Sequence, residues 1–339
     1  MNRYNNICEA VQNCDCVPVN DLLDLNSLNY RFNIDSTLVG IIKNPEVVVD
    51  LDLYKTPEGK KLFCINVEKK TVTFEDWCKT RQERQNSIDI MLADFRKNQI
   101  WHCMKKWRNE QYPIYGSTTE SDGMFLTIER CVAEVFGIRT FGVHINGFVK
   151  YKDNQGESSS KPAEKGFGSS TSLFQIKMWV AKRSLTKSTY PGMLDQIVAG
   201  GISAGEMPFH TLIRECEEEA GIPENIASRA IPCGSIQYIN KTENGYQPET
   251  QYVYDLELPQ DFVPIPVDGE ADSFELLDME RLKLRMLSGE YKPNCLCVVV
   301  DFMIRHGYIT PENEPDYLNI IDSIHRSIPF PGPGSVLRI

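Results

Sequence analysis

Residues 200–222, reading Gly-Gly-Ile-Ser-Ala-Gly-Glu-Met-Pro-Phe-His-Thr-Leu-Ile-Arg-Glu-Cys-Glu-Glu-Glu-Ala-Gly-Ile, constrain the chain more than any other stretch. Gly200, Gly201 and Gly205 allow the backbone to turn tightly. Glu206 and Pro208 suit a helix start, since proline is tolerated in a first turn and a carboxylate there meets the positive end of the dipole. Gly221, followed by Pro223, is a helix stop. Between these signals Phe209, Leu212, Ile213, Cys216 and Ala220 recur at helical spacing and form an apolar stripe. Glu215, Glu218 and Glu219 stand at i, i+3 and i+4 and share a face. Carboxylates so placed repel one another unless a cation neutralises them, and oxygen ligands suit hard cations such as Mg²⁺. Taken alone, the three glutamates fit a solvated acidic face, with Arg214 as local partner, equally well.

The complete pattern is more specific. Gly200, Glu206, the run Arg214-Glu215-Cys216, Glu218-Glu219 and Gly221-Ile222 resemble the Nudix box at every fixed position. The resemblance implies an α/β fold, a Nudix α/β/α sandwich with a mixed sheet. It also implies Mg²⁺- or Mn²⁺-dependent hydrolysis of a diphosphate linked to another moiety. By position, Glu215, Glu218 and Glu219 would hold metal, Arg214 would orient them, Glu206 would lock the loop, and the carbonyl beside Gly200 could add a ligand.

The 339 residues leave room for two domains, with hydrophobic and charged fractions of an ordinary water-soluble chain. A net charge of −11 argues against a nucleic-acid surface, which needs clustered Lys and Arg. No stretch approaches membrane-spanning length. Eleven cysteines without a CxxC pair favour reduced thiols in an intracellular compartment. The N-terminus has neither a long apolar run nor an Arg- and Ser-rich presequence, which makes the cytoplasm the expectation.

In order, residues 1–30 suggest polar helix, and 38–42, 47–51 and 62–67 suggest short strands separated by turn signals. Thr73 suggests the cap of a helix running to about Lys97. Residues 100–107 combine Trp101, His102, Lys105, Lys106 and Trp107. The favoured reading is a helix with packed tryptophans, and the alternative is a lid over an aromatic, phosphorylated ligand. Residues 123–136 suggest an amphipathic helix ended by Gly137, and 138–150 alternate as a strand. A smaller α+β N-terminal domain, 1–137, would thus precede a hydrolase domain, 138–328, with a flexible insertion at 152–172 and a loosely held tail at 329–339. His144 is expected to be a packed strand residue. After the box, 230–239 and 251–258 suggest strands paired across Asn244-Gly245, and 279–288 and 312–327 suggest helices.

The strand at 173–181 leads into a loop with Lys182, Arg183 and Lys187, of which Arg183 and Lys187 are candidates for substrate phosphate. This run, with Tyr252–Pro259, Asp268-Gly269-Glu270 and Lys292-Pro293-Asn294, is similar to the thiamin-pyrophosphokinase-related Nudix proteins of fungi and plants. That likeness implies hydrolysis of oxo- and oxy-thiamin diphosphates to monophosphates, a metabolite-damage repair. No kinase activity is expected, because the chain ends soon after the Nudix part. Glu270, ahead of Asp268, is the candidate for a further carboxylate, and either Glu215 or Glu270 would act as base. Tyr238 is a weak mark of dinucleoside polyphosphate substrates. The rival readings are a nucleotide-sugar or dinucleotide pyrophosphatase and a non-catalytic sensor. The expected partner is a small-molecule diphosphate, with neither nucleic acid nor membrane.

Overall fold

The computed structural model describes residues 4–24, 26–152 and 174–334. Asn6 caps α1 (Ile7–Gln12), its side chain accepting from the Glu9 N–H, and α2 (Val19–Leu23) follows. Next come β1 (Tyr30–Ile34), β2 (Thr37–Ile42), α3 (Pro45–Leu53), β3 (Phe63–Asn66) and β4 (Thr71–Phe74). These strands form a sheet in the order β2-β1-β4-β3, parallel only between β1 and β4. α4 (Arg81–Lys97) opens on a capping box between Thr80 and Glu83. β5 (Gln111–Tyr115) and β6 (Met124–Glu129) pair antiparallel, and α5 (Ala133–Phe136) ends at Gly137, whose φ is 59°. Phe32, Phe63, Met91, Trp101, Leu126 and Phe136 lie in the core these elements share.

Three expectations fail in this part. Residues 47–51 are helix, because Pro45 sits in the first turn of α3 and Val47, Val48 and Leu51 are buried together on its inner face. The valines carried strand propensity, and burial overrode it. The long helix starts at Thr80 and not at Thr73, which lies in β4. Residues 123–136 are mostly β6, a 3₁₀ turn and the short α5. Leu126 and Ile128 face Ile114 and Tyr112 across the ladder, so a partner strand decided what an ambiguous apolar pattern left open.

The second part contains β7 (Thr140–Lys152), β8 (Phe174–Arg183), β9 (Leu194–Gln196) and β10 (Val198–Gly201). The box helix α6 (Pro208–Ala220) and α7 (Glu224–Ala227) come next. They precede β11 (Ile231–Lys241), β12 (Tyr246–Glu257), β13 (Ala271–Asp278), α8 (Met279–Leu287), α9 (Pro293–Arg305) and α10 (Tyr317–Ile324). The described strands form one mixed sheet, β11-β12-β7-β8-β13, with β10 added on β7 and β9 on β8. Only β7 and β12 run parallel. One face packs on α6 and α7 through Val143, Ile145, Trp179, Leu212, Cys216 and Ala220. The other packs on α1, α8, α9 and α10 through residues such as Phe148, Met178, Leu282 and Phe302. This is the α/β/α sandwich that the box resemblance implied. α9 lacked a helical signal because it is apolar nearly all round, as a fully buried helix is.

The expected first domain is not closed at its own N-terminus. Ile7, Ala10 and Val11 of α1 are buried in the core under α9 and α10. The expected loose tail is held as far as it is described: Ile328 and Phe330 pack with Ile41 and Ile239, and the Phe330 carbonyl accepts from Arg139. The insertion expected at 152–172 lies outside the described residues beyond Lys152. No described helix is long and apolar enough to cross a membrane.

Candidate active site

The box forms a strand, a loop and a helix. β10 joins β7 with Ala199 opposite His144 and Gly200 opposite Val143. The chain turns through Gly205, at φ 87°, and enters α6 with Pro208 in its first turn. Gly221, at φ 61°, caps the helix in the left-handed conformation, as expected of that glycine. Leu212, Cys216 and Ala220 are buried, whereas Phe209, expected in the same stripe, is partly exposed at the rim.

Each box side chain has a distinct place. Arg214 lies among three carboxylates, 3.3 Å from Glu206, 3.0 Å from Glu215 and 3.0 Å from Glu218. Glu206 also accepts from Thr211 Oγ1 at 3.0 Å, which ties the loop to the helix start. Glu215 lies against Gly200, where a Cβ would stand 2.3 Å from its Cδ and Oε1. Glu219 accepts from the Ala199 N–H at 3.0 Å. Glu219, Asp268 and Glu270 each place a carboxylate oxygen within 4.8 Å of the others. The loop thus delivers both acids singled out there, held by the Glu270 carbonyl accepting from Ser184 N–H and by Asp268 accepting from Glu270 N–H. Glu218 is exposed and turned to Arg214, away from that cluster.

The electrostatics fit a divalent cation. Burial pushes the Glu219 carboxyl well above its usual range, and neighbouring Glu215, Asp195 and Glu270 add to the push. Burial also raises Glu215. Burial is the largest single influence on Glu270 and works to raise it, but the hydrogen bond and charge of Lys187, with Arg108 and Arg183, together hold the carboxyl low. A buried, repelling set of oxygen donors is what a hard cation relieves.

The expected phosphate ligands do not both survive. Arg183 is buried and its donors are used, by Asp195 at 2.5 Å, Thr189 O at 3.0 Å and Tyr190 O at 3.2 Å. It serves to hold Asp195, which Lys292 and Arg183 keep ionised against burial. Lys187 pairs with Glu270 at 2.6 Å, beside the acidic cluster. The tryptophans at 101 and 107 pack as the favoured reading had it: Trp101 is buried and donates to Asp50, and Trp107 stacks under Arg96. Tyr238 is buried, donating to Glu249 and accepting from Gln251.

A cavity of about 500 Å³ opens beside Ala199, Gly200 and Gly201, between the two parts of the chain. Its wall includes Arg108, Arg130 and Glu134 from the first part and His144, Tyr190 and Glu249 from the second. Burial holds the His144 imidazole neutral, with its pKa pushed down to about 3. Its Nδ1 and the Oε1 of Gln251 are buried without hydrogen-bond partners among the described residues. Arg108, Arg130 and Glu134 carried no sequence signal, because each is far from the box in the chain, whereas Lys106, which also lines the cavity, falls in the segment 100–107 that the alternative reading set over a ligand.

The comparisons agree with this geometry. A family model described as a NUDIX domain matches residues 171–295, and one described as a domain of unknown function, DUF4743, matches residues 6–140. An uncharacterized protein of Saccharomyces cerevisiae, YJR142W, is 37% identical over 260 residues, covering 73% of this chain and 69% of its own. From Arabidopsis thaliana, Nudix hydrolase 20, chloroplastic, is 40% identical over 63% of this chain and 51% of its own. Nudix hydrolase 24, chloroplastic, from the same plant is 39% identical over 63% of this chain and 52% of its own. The chain therefore spans about half the length of the two plant relatives. With a box helix of this form laid on a mixed sheet and flanked on both faces, the chain carries a Nudix domain at residues 171–295, and its likeness to the two plant Nudix hydrolases supports a hydrolase acting on phosphoanhydride bonds.

Proposed function

We propose that the protein is a Mg²⁺- or Mn²⁺-dependent diphosphate hydrolase acting on thiamin-diphosphate-like compounds, oxo- and oxy-thiamin diphosphate above all, to give the monophosphate and inorganic phosphate. The observation that carries the chemistry is the convergence of Glu219, Asp268 and Glu270 beside Glu215, next to Ala199 and Gly200, which line a cavity large enough for a small ligand. Glu219, Asp268 and Glu270 would hold the cation, with Glu215 beside them, while Glu218, expected as a ligand, is turned to Arg214. When bound, the cation offsets the diphosphate charge and the charge that develops at the reacting phosphorus.

The chain's own groups divide the remaining work. Arg214 fixes the rotamers of Glu215 and Glu218, and Gly200 leaves room for the Glu215 carboxylate. Glu215 is the better proton acceptor of the two candidates. Its basicity is raised by burial, while Lys187 holds Glu270 in the ionised, weakly basic form. Water adds to one phosphorus as its proton passes to Glu215, and the bond from that phosphorus to the bridging oxygen breaks.

The thiamin assignment rests on likeness along the chain and is supported by the cavity wall. Glu134 and Glu249 favour a heterocycle that carries positive charge or offers N–H donors. The test is phosphate release with Mg²⁺ from oxothiamin diphosphate, oxythiamin diphosphate, thiamin diphosphate, ADP-ribose, NADH and a dinucleoside polyphosphate. Preference for the oxidised thiamins, lost in Glu219→Gln, is the expected result. Turnover of nucleotides alone would discard the thiamin assignment, and silence across the panel would favour a sensor.

A further inference from the structure

Most cations that the hydrolase part places near the box are already engaged, and Lys241, which also lines the cavity, is carried on β11 and not by the box or its flanking loops. Arg183 is used by Asp195 and two carbonyls. Lys187 is used by Glu270, Arg214 by three glutamates, and Lys292, at the cavity wall, faces Asp195 at 3.8 Å. Arg139 donates to Thr250, Phe330 O and Gln237. Yet a diphosphate carries more negative charge than one divalent cation offsets, and its terminal oxygens need donors.

The first part of the chain supplies them. Arg108 lines the cavity and lies close enough to Glu270 to act on its carboxyl. Its guanidinium makes no hydrogen bond or ion pair among the described residues. Only its main-chain N–H is engaged, donating at 2.9 Å to the buried Glu129. The backbone that carries Arg108 is stitched to the box loop. Ala204 N–H donates to Gln111 O at 2.8 Å, and Ser203 Oγ to Glu110 at 3.3 Å. Glu110 in turn holds Arg130 at 2.8 Å, and a Cβ on Gly201 would stand 2.1 Å from the Tyr112 hydroxyl. The segment 108–112 is therefore part of the wall of the site, positioned on its backbone while one guanidinium is left uncommitted.

We propose that Arg108 is the substrate-phosphate ligand of this enzyme, so that the first part of the chain completes the active site across the cavity from the box. This inference rests on the diphosphate-hydrolase reading. It deepens it by placing the phosphate-binding donor outside the Nudix domain. A planar guanidinium matches two phosphate oxygens with paired N–H donors, and it does so without disturbing the Lys187–Glu270 pair.

The test compares the full-length protein with Arg108→Gln, Arg108→Lys and, as a charge control on an exposed residue of α4, Lys97→Gln. Two quantities are read: steady-state kinetics on the best diphosphate of the panel with Mg²⁺, and calorimetric affinity for methylenediphosphonate, which cannot be hydrolysed, in the same buffer. Arg108→Gln is expected to lower kcat/KM and to weaken the analogue by about 10- to 100-fold each, the range of a lost charge-assisted hydrogen bond. Arg108→Lys should recover part of both, and Lys97→Gln should match the wild type. Unfolding midpoints of all four should agree, which separates ligand binding from folding. Wild-type affinity in Arg108→Gln overturns the inference, as does a wild-type protein that does not bind the analogue. Should the wild type bind the analogue but hydrolyse nothing in the panel, the functional reading fails, and the affinity ratio still decides the role of Arg108.

Discussion

Replacing Gly200 by alanine separates the box as a scaffold from the box as a catalyst. The added Cβ would lie 2.3 Å from Glu215 Cδ and Oε1 and 2.5 Å from its Cγ. Ordinary contact needs more than 3.4 Å. The Glu215 carboxylate must therefore retreat by about 1 Å, since its side chain can move more readily than β10, which is laddered to β7. The overpacking should cost about 1–2 kcal/mol, a fall of a few degrees in Tm for a domain of this size. A misplacement of about 1 Å in a reacting group costs on the order of 100-fold in rate. Activity should thus fall far more than stability does. Gly205→Ala is the control: its φ of 87° makes alanine strained, but nothing stands within 4 Å, so about 1 kcal/mol is lost and Glu215 is untouched. Thermal unfolding and kcat/KM with Mg²⁺ are measured on both variants. Equal turnover in the two, at equal stability, would refute the claim that Gly200 exists to seat Glu215.

Glu219→Gln should abolish turnover by orders of magnitude, yet leave Tm in chelator unchanged or higher, because a buried carboxyl repelled by its neighbours is removed. Saturating Mg²⁺ should stabilise the wild type and not the variant, by about 2.7 kcal/mol at a hundredfold excess over Kd, read as a rise in Tm, and equal rises in both would remove Glu219 from the cation site. Arg183→Ala should destabilise by about 3–5 kcal/mol in denaturant titration, because it leaves buried Asp195 with Lys292 at 3.8 Å as its cation, beside hydrogen bonds from Gln196 N–H and Cys295 Sγ. A stable Arg183→Ala protein with weakened substrate binding would restore the phosphate role. His144 is held neutral in the fold with a pKa near 3, below the usual 6.5, so its contribution is present above pH 6.5 and lost as the pH falls toward 3. Between pH 6.5 and pH 5 it should remove about 2 kcal/mol of stability, and His144→Gln should flatten that limb of the stability curve. An unchanged limb would mean that the imidazole is solvated.

Where local chemistry and tertiary demand coincide, the sequence reads directly. Proline at the start of α6, the left-handed Gly221 at its end and the buried Leu212-Cys216-Ala220 stripe leave the box helix little alternative. The alternating runs of β7, β8 and the β11–β12 pair were legible for the same reason. The first part was read less well. Val47 and Val48 look like strand until their burial on α3 is known, and β6 looks like helix until β5 stands beside it.

The site divides along the same line. Glu215, Glu218, Glu219 and Arg214 are neighbours in the chain, so a helix period alone brings them together. Period alone could not say that Glu218 turns to Arg214 while Glu219 turns inward to meet Asp268 and Glu270. Nor could it say that Arg183 is used up by Asp195, twelve residues away on the adjoining strand. The wall opposite the box comes largely from residues 103–134, contributed by a part of the chain about 70 to 100 residues from the box loop and joined to it by hydrogen bonds at 110, 111, 203 and 204. Sequence determined the carboxylates and the helix that carries them, because those depend on spacing along one element. Only the packing of separate elements decided which carboxylates converge, which cations remain free and what faces the substrate, because each depends on distances that the order of residues does not encode locally.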